Sequence, residues 1–229
     1  MNPGQRLIRS FVRRRGRMTL AQQQALEKHW PTYGIDYQAD QLIDLEHIFQ
    51  RSAPVVLEIG FGSGAALLSM AQLQPENNYL GIDVHEPGVG HLLSQLQMCA
   101  LAHVRVYRHD ATEVLRHAIA DKALSRVHIF FPDPWPKKKH HKRRLIQGEF
   151  VALLRTKLKV HGVLHLATDW QPYAEQMMSV LSASDGFKNV QGPGAYLIEK
   201  PPYRIRTRFE QRGMNLGHGV WDLMFERVS

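Results

Sequence analysis

Short apolar runs alternate with longer amphipathic stretches along most of the chain. Residues 53–60 (APVVLEIG) form a β-branched run closed by glycine, which predicts a buried strand. Residues 65–73 are rich in Ala and Leu at helical spacing. The alternation repeats as strand 78–84, helix 90–101, strand 104–108 and helix 112–120. Strand 126–131 is stopped by Pro132 and Pro134, helix 147–160 follows, then strand 162–168 and helix 171–182. Five strands alternating with helices predict an α/β fold with a doubly wound, mostly parallel sheet. The end of the chain breaks the pattern. Residues 187–199 and 220–227 read as two strands around a Gly- and Arg-rich stretch, which brings in an antiparallel strand. Residues 20–29 and 40–50 have helical patterning but no nucleotide-site signal. The expected organisation is a basic arm with a helical lead-in at 1–50 and a single domain at 51–229.

A chain of 229 residues, 44% hydrophobic and 22% charged, has the composition of one globular domain with a sizeable core. No apolar run approaches the roughly 18–20 residues of a membrane span. The single cysteine, Cys99, excludes an intramolecular disulfide and any multi-cysteine metal site, and fits a reducing, cytoplasmic setting. The thirteen histidines show no ligand spacing, so no metal is expected.

Charge adds the first functional clue. Residues 1–17 hold six arginines and no acid, and residues 137–144 read KKKHHKRR. These two segments contain twelve of the 29 bases and none of the 21 acids, so the remainder is net acidic. Concentrated basic segments on an acidic body point to directed binding of a polyanion. The blander alternative is two solvated charge runs. An acid-free, Arg-rich start also imitates a mitochondrial presequence.

The first strand of the alternation runs into Gly60-Phe61-Gly62-Ser63-Gly64-Ala65. Gly60, Gly62 and Gly64 permit a tight turn and close backbone approach to a ligand at the next helix. The stretch also satisfies the dinucleotide pattern G-x-G-x-x-A, so an NAD-dependent oxidoreductase competes. Its surroundings favour a cation. Glu58 lies two residues before Gly60, where it would repel a diphosphate. Asp83 ends the second strand, where a ribose diol is gripped, and Asp110 follows the third, within reach of an adenine amino group. Three carboxylates around one ligand suit S-adenosylmethionine, which carries a sulfonium and an ammonium.

The strand ending at 131 runs into Pro132-Asp133-Pro134-Trp135-Pro136-Lys137. Prolines on both sides of Asp133 stiffen the turn and can fix its side chain against a cofactor. The stretch at 131–144, FPDPWPKKKHHKRR, resembles the signature of bacterial-type tRNA (guanine-N7)-methyltransferases. The likeness continues in LATDW (166–170), TRFEQRG (207–213) and GHGVWDLMF (217–225), and reaches from about residue 53 to the C-terminus. At 10–19, SFVRRRGRMT is similar to one bacterial branch, which weighs against the presequence.

The resemblance implies a Rossmann-like class I S-adenosylmethionine-dependent methyltransferase with a seven-stranded sheet. It would methylate N7 of a guanosine in the tRNA variable loop (position 46 by tRNA convention). It implies cofactor binding by Glu58, Gly60, Gly62, Gly64, Asp83 and Asp110, and catalysis by Asp133. Substrate contacts fall to Lys137, Asp169, Thr207, Arg208, Phe209 and Glu210. RNA contacts fall to Lys139, His140, His141, Lys142, Arg143 and Arg144. Asp83 stands where many members carry Glu, and Arg208 where Lys is common. The implied partner is tRNA, with homo-oligomerisation undetermined.

The chemistry is consistent with these residues. N7 of guanine has a free lone pair and loses no proton, so positioning and electrostatics suffice. A carboxylate can hold the N1–H and N2–H₂ edge and stabilise the cationic ring that forms. Asp133 is the first candidate and Asp169 the second. A general-base role for Asp133 has no support, because no proton leaves N7. Trp135 and Phe209 are candidate stacking surfaces. A non-catalytic RNA-binding module stays open beside the two enzyme readings.

Overall fold

The computed structural model describes residues 10–11, 17–205, 210 and 219–229. Within them, strand–helix repeats build one sheet of eight strands. The lead-in supplies α1 (Leu20–Tyr33), β1 (Gly34–Ile35) and α2 (Leu45–Phe49). The repeating part is β2 (Val55–Ile59), α3 (Ala65–Leu73), β3 (Asn78–Ile82), α4 (Glu86–Met98), β4 (Val104–Tyr107), α5 (Ala111–His117) and β5 (Leu124–Phe130). A 3₁₀ helix (Lys138–Arg143) carries the basic tract. It is followed by α6 (Gly148–Lys157), β6 (Leu158–Thr168), α7 (Gln171–Ser182), β7 (Phe187–Asn189) and β8 (Trp221–Arg227).

The spatial order is β1-β4-β3-β2-β5-β6-β8-β7. From β1 through β6 all neighbours are parallel, and β8 runs antiparallel to both β6 and β7. The mostly parallel sheet with an antiparallel C-terminal strand is as expected, with one strand more than seven. The chain winds from β2 toward β4 and then returns to place β5 on the other side of β2. Ligands of open α/β sheets bind at such a reversal, outside the carboxyl ends of the strands. Here that crevice lies between the glycine loop after β2 and the proline-rich loop after β5.

Every residue of β2 is buried, because both faces of the sheet are covered. Leu57 and Ile59 join Leu80, Ile82, Val127 and Ile129 under α5, α6 and α7. Val56 joins Tyr79, Val104 and Phe130 under α3 and α4. Thr19 caps α1 reciprocally with Gln22: Gln22 N donates to Thr19 Oγ1 at 3.2 Å, and Thr19 N to Gln22 Oε1 at 2.9 Å. The helix then packs along α4, where Gly90 leaves room for the Gln22 carbonyl.

One strand expectation and one helix expectation change. Within residues 187–199 the strand ends at Asn189, and beyond it Val190 N and Leu197 N still donate to β8, at Met224 O and Asp222 O. Between these two the chain turns through Gly192-Pro193-Gly194, and Pro193 has no amide to give a ladder. The helix expected to reach residue 160 stops at Lys157, because β6 starts at Leu158.

Candidate active site

Gly60, Gly62 and Gly64 take φ of 75°, 58° and 77°, values that L side chains avoid. A side chain on Gly60 or Gly62 would meet no protein atom within 4 Å, so both present bare backbone to open space. The loop is pinned to the sheet. Gly60 N donates to Ile82 O at 2.8 Å, and Gly62 N to Asp83 Oδ2 at 2.7 Å. Asp83 Oδ1 accepts from His85 N at 2.8 Å, so this carboxylate shapes the loop as well as bordering the crevice. Burial raises the Asp83 pKa above the usual carboxylate range.

Glu58 is the exceptional acid. It is 2% exposed, and its Oε2 has no hydrogen-bond partner. Burial, reinforced by the charge of Asp83, pushes its pKa up to about 8. A buried carboxyl with one unpartnered oxygen beside a bare glycine turn is suited to a cationic group, which would favour its ionised form, and offers a diphosphate no counter-charge. This fits the ammonium of S-adenosylmethionine and disfavours the dinucleotide alternative. Asp110 caps α5, its Oδ1 accepting from Thr112 N at 2.9 Å, and stays half-buried at the end of β4. Glu58, Asp83 and Asp110 therefore border one edge of the sheet on three adjacent strands.

On the other side of the reversal, Phe131 N donates to Ala167 O at 2.8 Å and prolongs the pairing of β5 with β6. Phe131 and Trp135 both hold positive φ, 53° and 45°, which is strained backbone for aromatic residues. Between them Asp133 is exposed. Asp169, half-buried, follows β6 directly, and β5 and β6 pair at Phe130 with Ala167. The two candidate carboxylates thus stand at neighbouring strand ends. Thr207, Arg208 and Phe209 lie outside the described residues.

The basic tract divides into two kinds of residue. Lys137, Lys139 and Lys142 are exposed, and His140, His141 and Arg143 are half-buried. Partial desolvation and the surrounding cations hold His140 below the usual imidazole range. Arg144 corrects the expectation of RNA contact, because it is 3% exposed. Its Nε donates to Pro134 O at 2.8 Å, its Nη1 to Gln176 Oε1 at 2.5 Å, and its guanidinium lies over the Tyr173 ring. It braces the Asp133 loop from beneath. Trp135 also differs from a free stacking platform. Arg143 lies 4.0 Å from its ring centroid, His140 meets it edge-on, and its indole N–H donates to Ser10 O.

Glu210, expected on the substrate, is 5% exposed and paired inward with Arg204. Sequence reasoning missed the group around it: Arg204, Asp222, His165, Tyr203 and His128. His128 and His165 were visible as polar residues inside apolar strand runs, RVHIFF and VLHLAT. Arg204, among neighbouring arginines, carried no sign of burial. Among the described residues no group of three or more His, Cys, Asp or Glu is arranged to hold a metal ion.

Similarity to other proteins agrees with this geometry. A family model described as "Putative methyltransferase" matches residues 52–223. A tRNA (guanine-N(7)-)-methyltransferase of Shewanella denitrificans is 56% identical over 98% of this chain and 93% of its own length. One from Shewanella frigidimarina is 54% identical over the same shares. Among solved structures, the 16S rRNA methyltransferase KamB aligns with a TM-score of 0.62 at 14% identity, covering 86% of this chain and 99% of that one. An antibiotic-related methyltransferase aligns at 0.55 with 15% identity, over 84% of this chain and 100% of that one. These two structures share the fold. With relatives more than half identical across nearly its whole length, the chain belongs to the tRNA (guanine-N(7)-)-methyltransferase family.

Proposed function

We propose that this protein transfers a methyl group from S-adenosylmethionine to N7 of a guanosine in the variable loop of tRNA, in the cytoplasm. The observation that carries the reading is the placement of Glu58's buried carboxyl, one oxygen of which has no partner, on one side of the sheet reversal and Asp133, followed by a cationic 3₁₀ helix, on the other. Glu58 would hold the ammonium, Asp83 the ribose, and Asp110 the adenine end. The bare Gly60–Gly62 backbone allows close approach. When bound, the cofactor supplies a methyl group activated by its sulfonium.

Asp133 receives the guanine edge, accepting from N1–H and N2–H₂, and sets N7 toward the methyl carbon. Held by Glu58, Asp83 and Asp110, the cofactor would supply its methyl carbon to the N7 lone pair and keep the electrons of the S–C bond on sulfur. No proton is transferred. The purine gains a positive charge, which the carboxylates of Asp133 and Asp169 stabilise. Lys137, Lys139, Lys142 and Arg143 contact phosphates and set the register of the tRNA without reading its sequence. A stacked, paired guanine must open toward the site.

Asp133→Ala separates chemistry from binding. Methyl transfer should fall at least 100-fold, with tRNA affinity within threefold of the parent. A variant retaining the parental rate would remove Asp133 from the reaction.

A further inference from the structure

A buried polar cluster sits against the root of the Asp133 loop, apart from the groups assigned to cofactor and phosphate. Its centre is Arg204, 1% exposed. Arg204 Nη1 donates to Glu210 Oε2 at 2.9 Å, and Nη2 reaches Glu210 Oε1 at 3.3 Å and Asp222 Oδ2 at 2.7 Å. Its Nε lies 2.5 Å from Asp222 Oδ1. Asp222 Oδ1 also meets His165 Nε2 at 2.9 Å, and His165 Nδ1 meets the Tyr203 hydroxyl at 3.0 Å. The same guanidinium lies 5.9 Å from the Phe130 ring centroid and 5.7 Å from that of Phe131.

One side chain therefore touches β8, the end of β5, the strained first residue of the reactive loop, and Glu210. Thr207, Arg208 and Phe209 fall in sequence between Arg204 and Glu210. A buried ion cluster is a weak source of stability, because desolvation of its charges cancels much of their attraction. Its specific product is fixed geometry, since a planar guanidinium holds two carboxylates in a set arrangement where an ammonium cannot. Lys200 Nζ, 3.7 Å from Glu210 Oε1, offsets the second negative charge.

We propose that Arg204 is a positioning residue for methyl transfer, clamping the chain at Glu210 against the Phe130–Phe131 root of the Asp133 loop. The clamp lets Glu210 and the Asp133 loop keep one relative placement. The proposal rests on the methyl-transfer reading above.

Arg204→Lys keeps the charge and removes the fork. It should lower kcat at least tenfold while leaving KM for tRNA and the affinity for S-adenosylhomocysteine within twofold. Asp222→Asn, which keeps the Arg204–Glu210 pair but weakens its anchor on β8, should lower kcat threefold or more with the same split. It decides the matter should Arg204→Lys not fold. Hydrogen–deuterium exchange of the ligand-free proteins reads the clamp without activity. Peptides covering 128–136 and 200–205 should both exchange at least threefold faster in the folded variant. Parental kcat in a folded variant overturns the proposal, as does a loss confined to KM or faster exchange in only one of the two peptides. Absence of methyl transfer in the parent protein would instead overturn the functional reading, leaving the exchange comparison to judge the clamp.

Discussion

At Glu58 a carboxyl is buried without a partner for one of its oxygens, a costly arrangement until a cation arrives. Its pKa is raised from 4.5 to about 8, chiefly by burial. Between those values the folded chain keeps a proton that the unfolded chain has released, so stability falls as pH rises. The loss is bounded at roughly 5 kcal/mol across that window. Glu58→Gln should flatten this slope in thermal melts from pH 5 to 8 and stabilise the ligand-free protein at pH 8. An ammonium placed beside Glu58 favours its ionised form, so ligand binding releases the proton. Affinity for S-adenosylhomocysteine, measured by calorimetry, should therefore rise with pH between 6 and 8, by up to about tenfold per unit. In Glu58→Gln it should be weaker and nearly flat. A flat profile in the parent protein would detach Glu58 from the ligand's amine.

The loop and 3₁₀ helix from 131 to 144 act as one device, with Arg144 below and the lysines outside. Removing the brace and removing a phosphate contact should then differ. Arg144→Met leaves the Pro134 carbonyl without its donor inside the protein and should destabilise by about 2–3 kcal/mol. Its transfer rate should fall while tRNA affinity stays within threefold. Arg143→Ala should instead weaken tRNA binding several-fold and reduce the magnitude of its salt slope by about one. Equal effects from both substitutions on tRNA binding would contradict the assignment of Arg144 as a brace.

The same segment marks how far sequence could be read. Helices at 65–73 and 171–182 coincide with their expected limits, because apolar spacing alone determines which face is buried. The two residues of β1 are too few to show a period, and only pairing with β4 makes them a strand. The glycine turn and the acids at three neighbouring strand ends were legible because each follows or ends a short apolar run. Arg144 and Arg204 were not, since a cation in a row of cations looks the same whether it faces water or a carboxylate. Glu210 was assigned to the substrate by resemblance, and its inward pairing depends on a contact with Arg204 that no local pattern encodes.

Across the whole molecule, charge is segregated. Lys137, Lys138, Lys139, Lys142 and Arg143 follow the loop after β5, while the acids Glu58, Asp83 and Asp110 stand on β2 and just after β3 and β4. A polyanion is drawn to the first and a small cation to the second. Binding of tRNA should weaken steeply with salt, with a log–log slope of about −3 or steeper. The triple substitution Lys138→Ala, Lys139→Ala and Lys142→Ala should reduce that slope in magnitude by about 2. It should leave S-adenosylhomocysteine affinity unchanged. An unaltered slope would move the RNA surface elsewhere. Among the described residues no helix is long and apolar enough to cross a membrane.

The most direct test incubates the purified protein with unmodified tRNA transcript and methyl-labelled S-adenosylmethionine, followed by nucleoside analysis and mapping. The account predicts label in 7-methylguanosine, confined to the variable loop and lost with Asp133→Ala. Label in any other nucleoside, or salt-sensitive tRNA binding with no transfer at all, would contradict it.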